Sequence, residues 1–179
     1  MMIANDARHG GRCRRVGFTI VELLIVIAII LIIAAMAIPN LLHSRIAANE
    51  ASAVSSIRTI NSAEVSYHSA YPTHGYAAQL SDLGGPTPCN SSPTSACLID
   101  NLLARGVKSG YNFAAPGTNR DANGVYMDYT AGAAPTMYDK SGVRRFCSMS
   151  DGIVRYDANV SQSTITPDLP QCQPAAPLE

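Results

Sequence analysis

The sequence predicts an α+β fold, in which a long N-terminal α-helix packs on a four-stranded antiparallel sheet. The helix is predicted by an apolar run that continues into an amphipathic stretch, residues 18–71, whose second part holds neither glycine nor internal proline. The sheet is predicted by short strand-like runs separated by Gly, Asn, Asp or Pro, a pattern typical of a meander. The 179 residues are the length of one ordinary domain with an appendage.

The apolar run lies between Phe18 and Ile38, where 19 of 21 residues are hydrophobic. As a helix it spans about 31 Å, which is enough to cross the hydrocarbon core of a bilayer. Basic residues precede it, against the single acid Asp6: Arg8, Arg12, Arg14 and Arg15. Because basic residues stay on the cytoplasmic side, we expect one membrane span with the N-terminus inside.

Three interpretations of this run compete. It is a plain membrane anchor, or a secretory signal peptide cleaved after Ala37 in the small-residue stretch Ala35-Met36-Ala37. Against the signal peptide, the run is longer than usual and carries Glu22 near its start. A carboxylate in the apolar phase costs about 2.5–3.5 kcal/mol, so Glu22 is either a functional residue or an acid that snorkels to the membrane boundary.

The residues around that carboxylate decide between the three. A basic leader is followed by Gly17-Phe18-Thr19-Ile20-Val21-Glu22, and Pro39 stands at the end of the apolar run. This segment resembles the class III signal peptide of the type IV pilin superfamily, specifically from Arg14 to about Tyr71 and more loosely beyond. The resemblance implies the pilin fold, in agreement with the pattern of helix and strands.

The resemblance also implies how the chain is processed. A prepilin peptidase would cut between Gly17 and Phe18 and methylate the new amino group of Phe18. The leader, residues 1–17, would be lost with Cys13. Glu22, with Thr19 beside it, would then set the register of assembly by neutralising the terminal amine of Phe18 on a neighbouring subunit. A buried carboxylate is tolerable only when it is paired in this way.

One position departs from the family pattern. Many members have a glycine in the middle of the apolar segment, where the helix loosens during assembly, and the corresponding residue here is Leu31. Leucine favours helix over glycine by about 1 kcal/mol. Unwinding would then depend on Pro39, the expected helix break at the end of the segment 18–39.

The remaining chain divides by composition. Residues 40–71 form the amphipathic half of the helix, and Tyr71-Pro72 ends it. Residues 72–110 are a loop-rich connection with a short helix at 99–104, residues 111–160 form the sheet, and residues 161–179 are a Pro-rich, irregular tail. The helix is expected to bury one stripe of side chains: Ile46, Ala53, Ile57, Ile60, Ala63 and Tyr67. The four strands are expected at 111–115, 125–130, 143–149 and 153–157. Charged residues lie largely off that stripe: Arg45, Glu50, Arg58 and Glu64.

Four cysteines remain once the leader is removed, and three pairings of them are possible. An even number in an oxidising compartment predicts two disulfides rather than free thiols or metal ligands. Sequence proximity and turn content favour Cys89–Cys97. This leaves Cys147–Cys172, which would tie the tail to the sheet, like the C-terminal disulfide loop of many pilins.

The sequence shows no catalytic or cofactor motif: no phosphate-binding Gly loop, no H-E-x-x-H and no G-x-S-x-G. Its balance of 13 basic and 13 acidic residues indicates no specific nucleic-acid partner. Turn acids that match no calcium loop are interpreted as surface residues: Asp121, Asn123, Asp128 and Asp139. We therefore predict no enzyme, no cofactor and no metal site.

The function expected from the resemblance is that of a structural subunit of an extracellular type IV pilus, serving adhesion or motility. Its partners would be other copies of the subunit, the prepilin peptidase, the inner-membrane assembly platform and the lipid bilayer. It would begin as a bacterial inner-membrane precursor and end in a cell-surface filament. The alternatives are a pseudopilin of a type II secretion system and, less favoured, a secreted binding domain. Major pseudopilins resemble one another in a calcium site and a D-P-W-G-like turn, and this chain has no Trp.

Overall fold

The computed structural model describes residues 17–157, Cys172 and residues 176–178. The expected leader up to residue 16, with its arginines and Cys13, lies outside the described residues, as does most of the tail, residues 161–179. The chain divides into two compact units, Met1–Asn40 and Leu41–Glu179.

The described part of the chain contains two α-helices, one 3-10 helix and seven strands. The helices are α1 (Ile20–Ala70), the 3-10 helix (Leu80–Leu83) and α2 (Asn101–Ala104). The strands are β1 (Val107–Lys108), β2 (Tyr111–Ala114), β3 (Gly117–Arg120), β4 (Tyr126–Pro135), β5 (Arg145–Met149), β6 (Arg155–Asp157) and β7 (Ala176–Pro177).

The helix α1 has nearly the bounds that the sequence predicts. It ends at Ala70 because Tyr71 precedes Pro72, and a residue before proline is disfavoured in helical conformation. The expected break at Pro39 is absent, since one helix runs from Ile20 to Ala70. A proline removes a single backbone donor from the helical ladder, and the helix continues on both sides of it. Whether Pro39 is a point of unwinding in an assembled filament stays a prediction.

The α+β prediction is confirmed, but the described sheet has seven strands rather than four. All its strand pairs are antiparallel, in the order β1-β2-β4-β5-β6-β7, and β3 pairs with β4. The strand β4 has ten residues, so it pairs with β2 near its end and with β3 near its start. The tail, expected to be irregular, contributes β7, which pairs with β6.

The core of the second unit lies between α1 and the sheet. The predicted stripe of α1 is buried apart from Ile46, which is partly exposed. The sheet contributes Tyr111, Phe113, Tyr129, Ala131, Ala133 and Phe146 to the same core.

Two charged residues of α1 correct the sequence analysis. Glu50 and Glu64 are buried, 6% and 0% exposed, whereas Arg45 and Arg58 are exposed as expected. Each glutamate is seven residues from Ile57, and seven residues are close to two helical turns. Both carboxylates therefore lie on the buried face.

The short helix α2 begins two residues later than expected, at Asn101. Asp100 determines this start, because its Oδ1 accepts hydrogen bonds from the backbone N–H groups of Leu102 and Leu103, both at 3.0 Å. An aspartate at this position satisfies donors that a helix start leaves without partners.

Candidate functional site

The first turn of α1 is held by its own side chains. Thr19 precedes the helix, and its Oγ1 accepts a hydrogen bond from the backbone N–H of Glu22 at 3.2 Å. In return, Glu22 Oε2 accepts from Thr19 Oγ1 at 3.3 Å and from the Thr19 backbone N–H at 3.5 Å. This is a capping box, in which a threonine and a glutamate three residues later satisfy donors at a helix start.

The predicted cleavage point lies just outside this box. Gly17 and Phe18 are exposed and non-helical, and among the described residues beyond its chain neighbours no atom lies within 4 Å of the place where a side chain on Gly17 would begin. Because α1 begins only at Ile20, the peptide bond between Gly17 and Phe18 is not engaged in helical hydrogen bonds. An extended, unobstructed backbone is what a protease needs at its cleavage site.

The apolar residues that follow are exposed in the single chain. Leu31 is 67% exposed and Phe18 is 77% exposed. Large side chains at least half exposed in this segment also include Ile20, Val21, Leu23, Leu24, Ile25, Ile29, Ile30, Ile32, Ile33, Met36 and Ile38. By length and composition α1 is able to cross a membrane. An apolar surface of this size calls for lipid or protein to cover it.

Residues 14–38 match the family model described as the prokaryotic N-terminal methylation motif. The chain carries the class III signal peptide of type IV pilins and pseudopilins. The matched residues include the predicted cleavage point and Glu22. Comparison with curated proteins found no match, and comparison with solved structures found none either.

This motif supports a coarse assignment. It is the motif of precursors of the type IV pilin or pseudopilin kind, and it indicates a structural subunit. It implies processing by a prepilin peptidase and assembly with other pilin subunits. Together with the apolar α1, it fits a precursor held in the inner membrane.

The four cysteines of the second unit, Leu41–Glu179, lie in two bonded pairs. Cys89 is joined to Cys97, with 6.2 Å between the Cα atoms, and Cys147 is joined to Cys172, with 5.7 Å. The first bond closes a loop between the 3-10 helix and α2. The second fastens the tail to β5, and Leu178 beyond it donates its backbone N–H to the Val154 carbonyl at 2.8 Å.

Glu50 fastens α1 to the segment before β5. Its Oε1 accepts from the backbone N–H groups of Val143 and Arg144, at 3.0 and 3.1 Å. Its Oε2 accepts from Arg144 Nε at 2.9 Å and from Nη2 at 2.8 Å. The carboxylate thus has both a counter-charge and backbone donors, which is how a buried carboxylate is accommodated.

Glu64 is buried with fewer partners. Its Oε2 accepts from the backbone N–H of Ala77 at 3.0 Å, and within the described residues its Oε1 has no hydrogen-bond partner. Burial raises the pKa of Glu64 from 4.5 to about 7; the Ala77 hydrogen bond lowers it, and nearby Asp82 raises it further. Sequence analysis missed this residue, although its seven-residue spacing from Ile57 was a visible signal.

The remaining polar candidates do not assemble into a site. Among residues 17–157, 172 and 176–178, no three His, Cys, Asp or Glu side chains are grouped as metal ligands. Asp121 instead holds its own turn, since its Oδ1 accepts from the backbone N–H groups of Asn123 and Val125 at 2.9 and 2.7 Å.

Proposed function

We propose that this chain is a prepilin, cut between Gly17 and Phe18, methylated on Phe18 and polymerised into an extracellular type IV pilus. The observation that carries the proposal is the N-terminal methylation motif at residues 14–38, which coincides with the exposed apolar start of α1. Residues 18–38 would span the bilayer before assembly and become covered by other subunits in the filament.

The geometry of Glu22 supports a role in assembly. Among the described residues Glu22 is bonded to the exposed Thr19, and the hydrogen bonds between them are long, at 3.2 to 3.5 Å. The new amine of Phe18 on a neighbouring subunit offers a full positive charge instead. The hydrogen bonds from Thr19 to the carboxylate lack that counter-charge, whereas the amine adds the attraction between two opposite full charges, so we expect Glu22 to exchange Thr19 for the amine on assembly.

Mass spectrometry of the mature N-terminus tests the processing step. We expect a chain that begins with N-methylated Phe18. A chain beginning at Ile38 would contradict the proposal and establish a secreted domain, and an intact N-terminus would establish a plain anchor.

A pair of glycine variants sharpens that experiment. Gly17→Val places a branched side chain beside the bond to be cut, and we expect it to accumulate as the precursor. Gly10→Val makes the same change within the leader and is expected to be cleaved normally. Equal cleavage of the two variants would contradict cleavage after Gly17.

A pilus subunit and a pseudopilin differ in what their loss removes. The absence of Trp, and with it of a D-P-W-G-like turn, supports the pilus. We expect to find the mature chain in filaments sheared from the cell surface. We also expect deletion of its gene to remove these filaments. Intact surface filaments together with loss of secreted proteins would establish the pseudopilin instead.

A further inference from the structure

Glu64 lies where a carboxyl group gains little from being charged. It is 0% exposed, and its Oε1 is buried without a hydrogen-bond partner among the described residues. Its Oε2 accepts one backbone hydrogen bond, from Ala77, 13 residues further along the chain. A neutral carboxyl tolerates such a site far better than a carboxylate, because a charge that leaves water must be compensated.

The titratable groups that face Glu64 do not supply that compensation. Asp82, from the 3-10 helix, is buried and bears the same charge. Tyr67 from α1 and Tyr129 from β4 are also close enough to interact electrostatically, and each has its pKa raised, chiefly by burial and in part by Glu64. His68 is exposed, with its ring 4.9 Å from that of Tyr76.

The backbone that Glu64 holds is the connection between α1 and the 3-10 helix. This segment runs along the start of β4, because the backbone N–H of Tyr76 donates to the Tyr126 carbonyl at 3.0 Å and that of Tyr126 to the His74 carbonyl at 3.1 Å. The hydrogen bond from Ala77 to Glu64 attaches the same segment to α1. Opening of this segment would admit water to Glu64.

We propose that Glu64 is a proton-binding latch, which holds residues 75–82 against α1 when protonated and loosens them when it ionises. The proposal is independent of the pilin assignment, because it depends only on contacts within the second unit, Leu41–Glu179.

The pH range follows from the two states of the latch. In the closed state burial raises the pKa of Glu64 to about 7, and in an open, hydrated state it returns towards 4.5. The closed state therefore binds the proton more tightly. The equilibrium constant for opening therefore rises by about tenfold per pH unit between pH 4.5 and about pH 7, in total about 300-fold. Above about pH 7 it stays constant.

Amide hydrogen exchange of Ala77 tests the latch directly. We would measure it by NMR on the full mature chain in detergent micelles from pH 4 to 8.5, corrected for the intrinsic pH dependence of exchange. We expect protection of Ala77 to fall as pH rises towards 7 and then to level off. The amide of Phe113, in the core strand β2, is the reference within the same molecule and reports global unfolding. A latch requires Ala77 to exchange faster than Phe113 at each pH, and equal exchange of the two amides would mean global unfolding alone.

Three variants separate the latch from general loosening. Glu64→Gln removes the titration, so protection of Ala77 should no longer depend on pH. Asp82→Asn removes the neighbouring negative charge, so the pKa of Glu64 should fall and the level region should begin at lower pH. His68→Asn replaces the exposed neighbour one turn away and should leave the profile unchanged.

The proposal is overturned if Glu64→Gln keeps the pH profile of the unmodified chain, or if His68→Asn abolishes that profile. Should Glu64→Gln fail to fold, the carboxyl carbon of Glu64 is titrated by NMR in the unmodified chain. A pKa near 4.5 in that titration would equally overturn it.

Discussion

At the scale of single residues, Glu22 has two competing partners. In the single chain it belongs to a capping box with Thr19, and in the proposed filament it pairs with the amine of a neighbour's Phe18. The first interaction stabilises the start of α1, and the second links subunits. Substitution at each residue separates these effects.

Substitution of Glu22 is expected to block assembly without blocking insertion. Glu22→Val removes an acid from near the start of the apolar segment, so entry into the membrane becomes easier by at most about 2.5 kcal/mol, the cost of an acid at the bilayer centre, while the partner for the neighbouring amine is lost. We expect the variant in the membrane fraction and absent from sheared filaments, measured by immunoblotting both. Normal filaments from Glu22→Val would remove the proposed role of this residue.

Substitution of Thr19 is expected to loosen only the first turn of α1. Thr19→Ala deletes the capping hydroxyl and should cost about 1 kcal/mol at the helix start, whereas Thr19→Ser keeps that hydroxyl. Amide exchange of Glu22 in micelles measures the difference. Equal exchange in the two variants would mean that the capping box has no part in fixing the helix start.

At the scale of elements, the glutamates of α1 fasten it to segments distant in sequence. Glu50 is tied to Val143 and Arg144, which are 93 and 94 residues away. We expect Glu50→Ala to lower the unfolding free energy of the second unit, Leu41–Glu179, by about 2–4 kcal/mol, because two backbone donors lose their acceptor. Denaturant unfolding in micelles measures it, with the exposed Arg58→Ala as a matched control expected within about 0.5 kcal/mol of the unmodified chain. Similar losses of unfolding free energy in both variants would contradict the role of Glu50 in fastening α1 to the segment before β5.

The two disulfides are expected to contribute unequally. Their cysteines are 25 and 8 residues apart, and chain entropy assigns about 3.5 kcal/mol to the longer loop and about 2.5 kcal/mol to the shorter. Replacing Cys147 and Cys172 together by serine should therefore lower stability more, and should release β7 from β6. Denaturant unfolding of the two double variants compares them, and a larger loss from Cys89 and Cys97 would contradict the ranking.

At the scale of the whole molecule, Glu64 makes stability depend on pH. Its folded pKa of about 7 lies above the value of 4.5 for the unfolded chain, so the folded state holds the proton more tightly. The contribution of Glu64 to stability is therefore fully present below about pH 4.5, falls as pH rises to about 7, and above that is smaller by about 3 kcal/mol. Denaturant unfolding at pH 4 and pH 8 measures the change. Comparing this change in the unmodified chain and in Glu64→Gln separates the effect of Glu64 from that of the histidines. Identical pH dependence of the unfolding free energy in both would contradict the raised pKa of Glu64.

The local sequence pattern was sufficient to predict some of the strands but not all of them. The runs at 111–115, 125–130, 143–149 and 153–157 were visible because β-branched and aromatic residues alternate there between turn residues. The second half of β4 was not visible, because Ala131, Gly132, Ala133 and Ala134 have low strand propensity. Their pairing with β2 and β5 makes them a strand, and this depends on residues far away in the chain.

The sequence by itself determined the N-terminal motif and the apolar run. The motif at 14–38 and the run from Phe18 to Ile38 are contiguous, so neighbouring residues are enough to recognise them. Only the tertiary structure decided the number of strands, the place of β7 and the burial of Glu50 and Glu64. Helical spacing put both glutamates on the inner face, but their environments come from elsewhere. Glu50 is held by Arg144 and backbone donors from the segment before β5, and Glu64 by one donor and a like-charged neighbour. Such contacts join residues that the sequence keeps apart, and for that reason the proton-binding site emerged only from the fold.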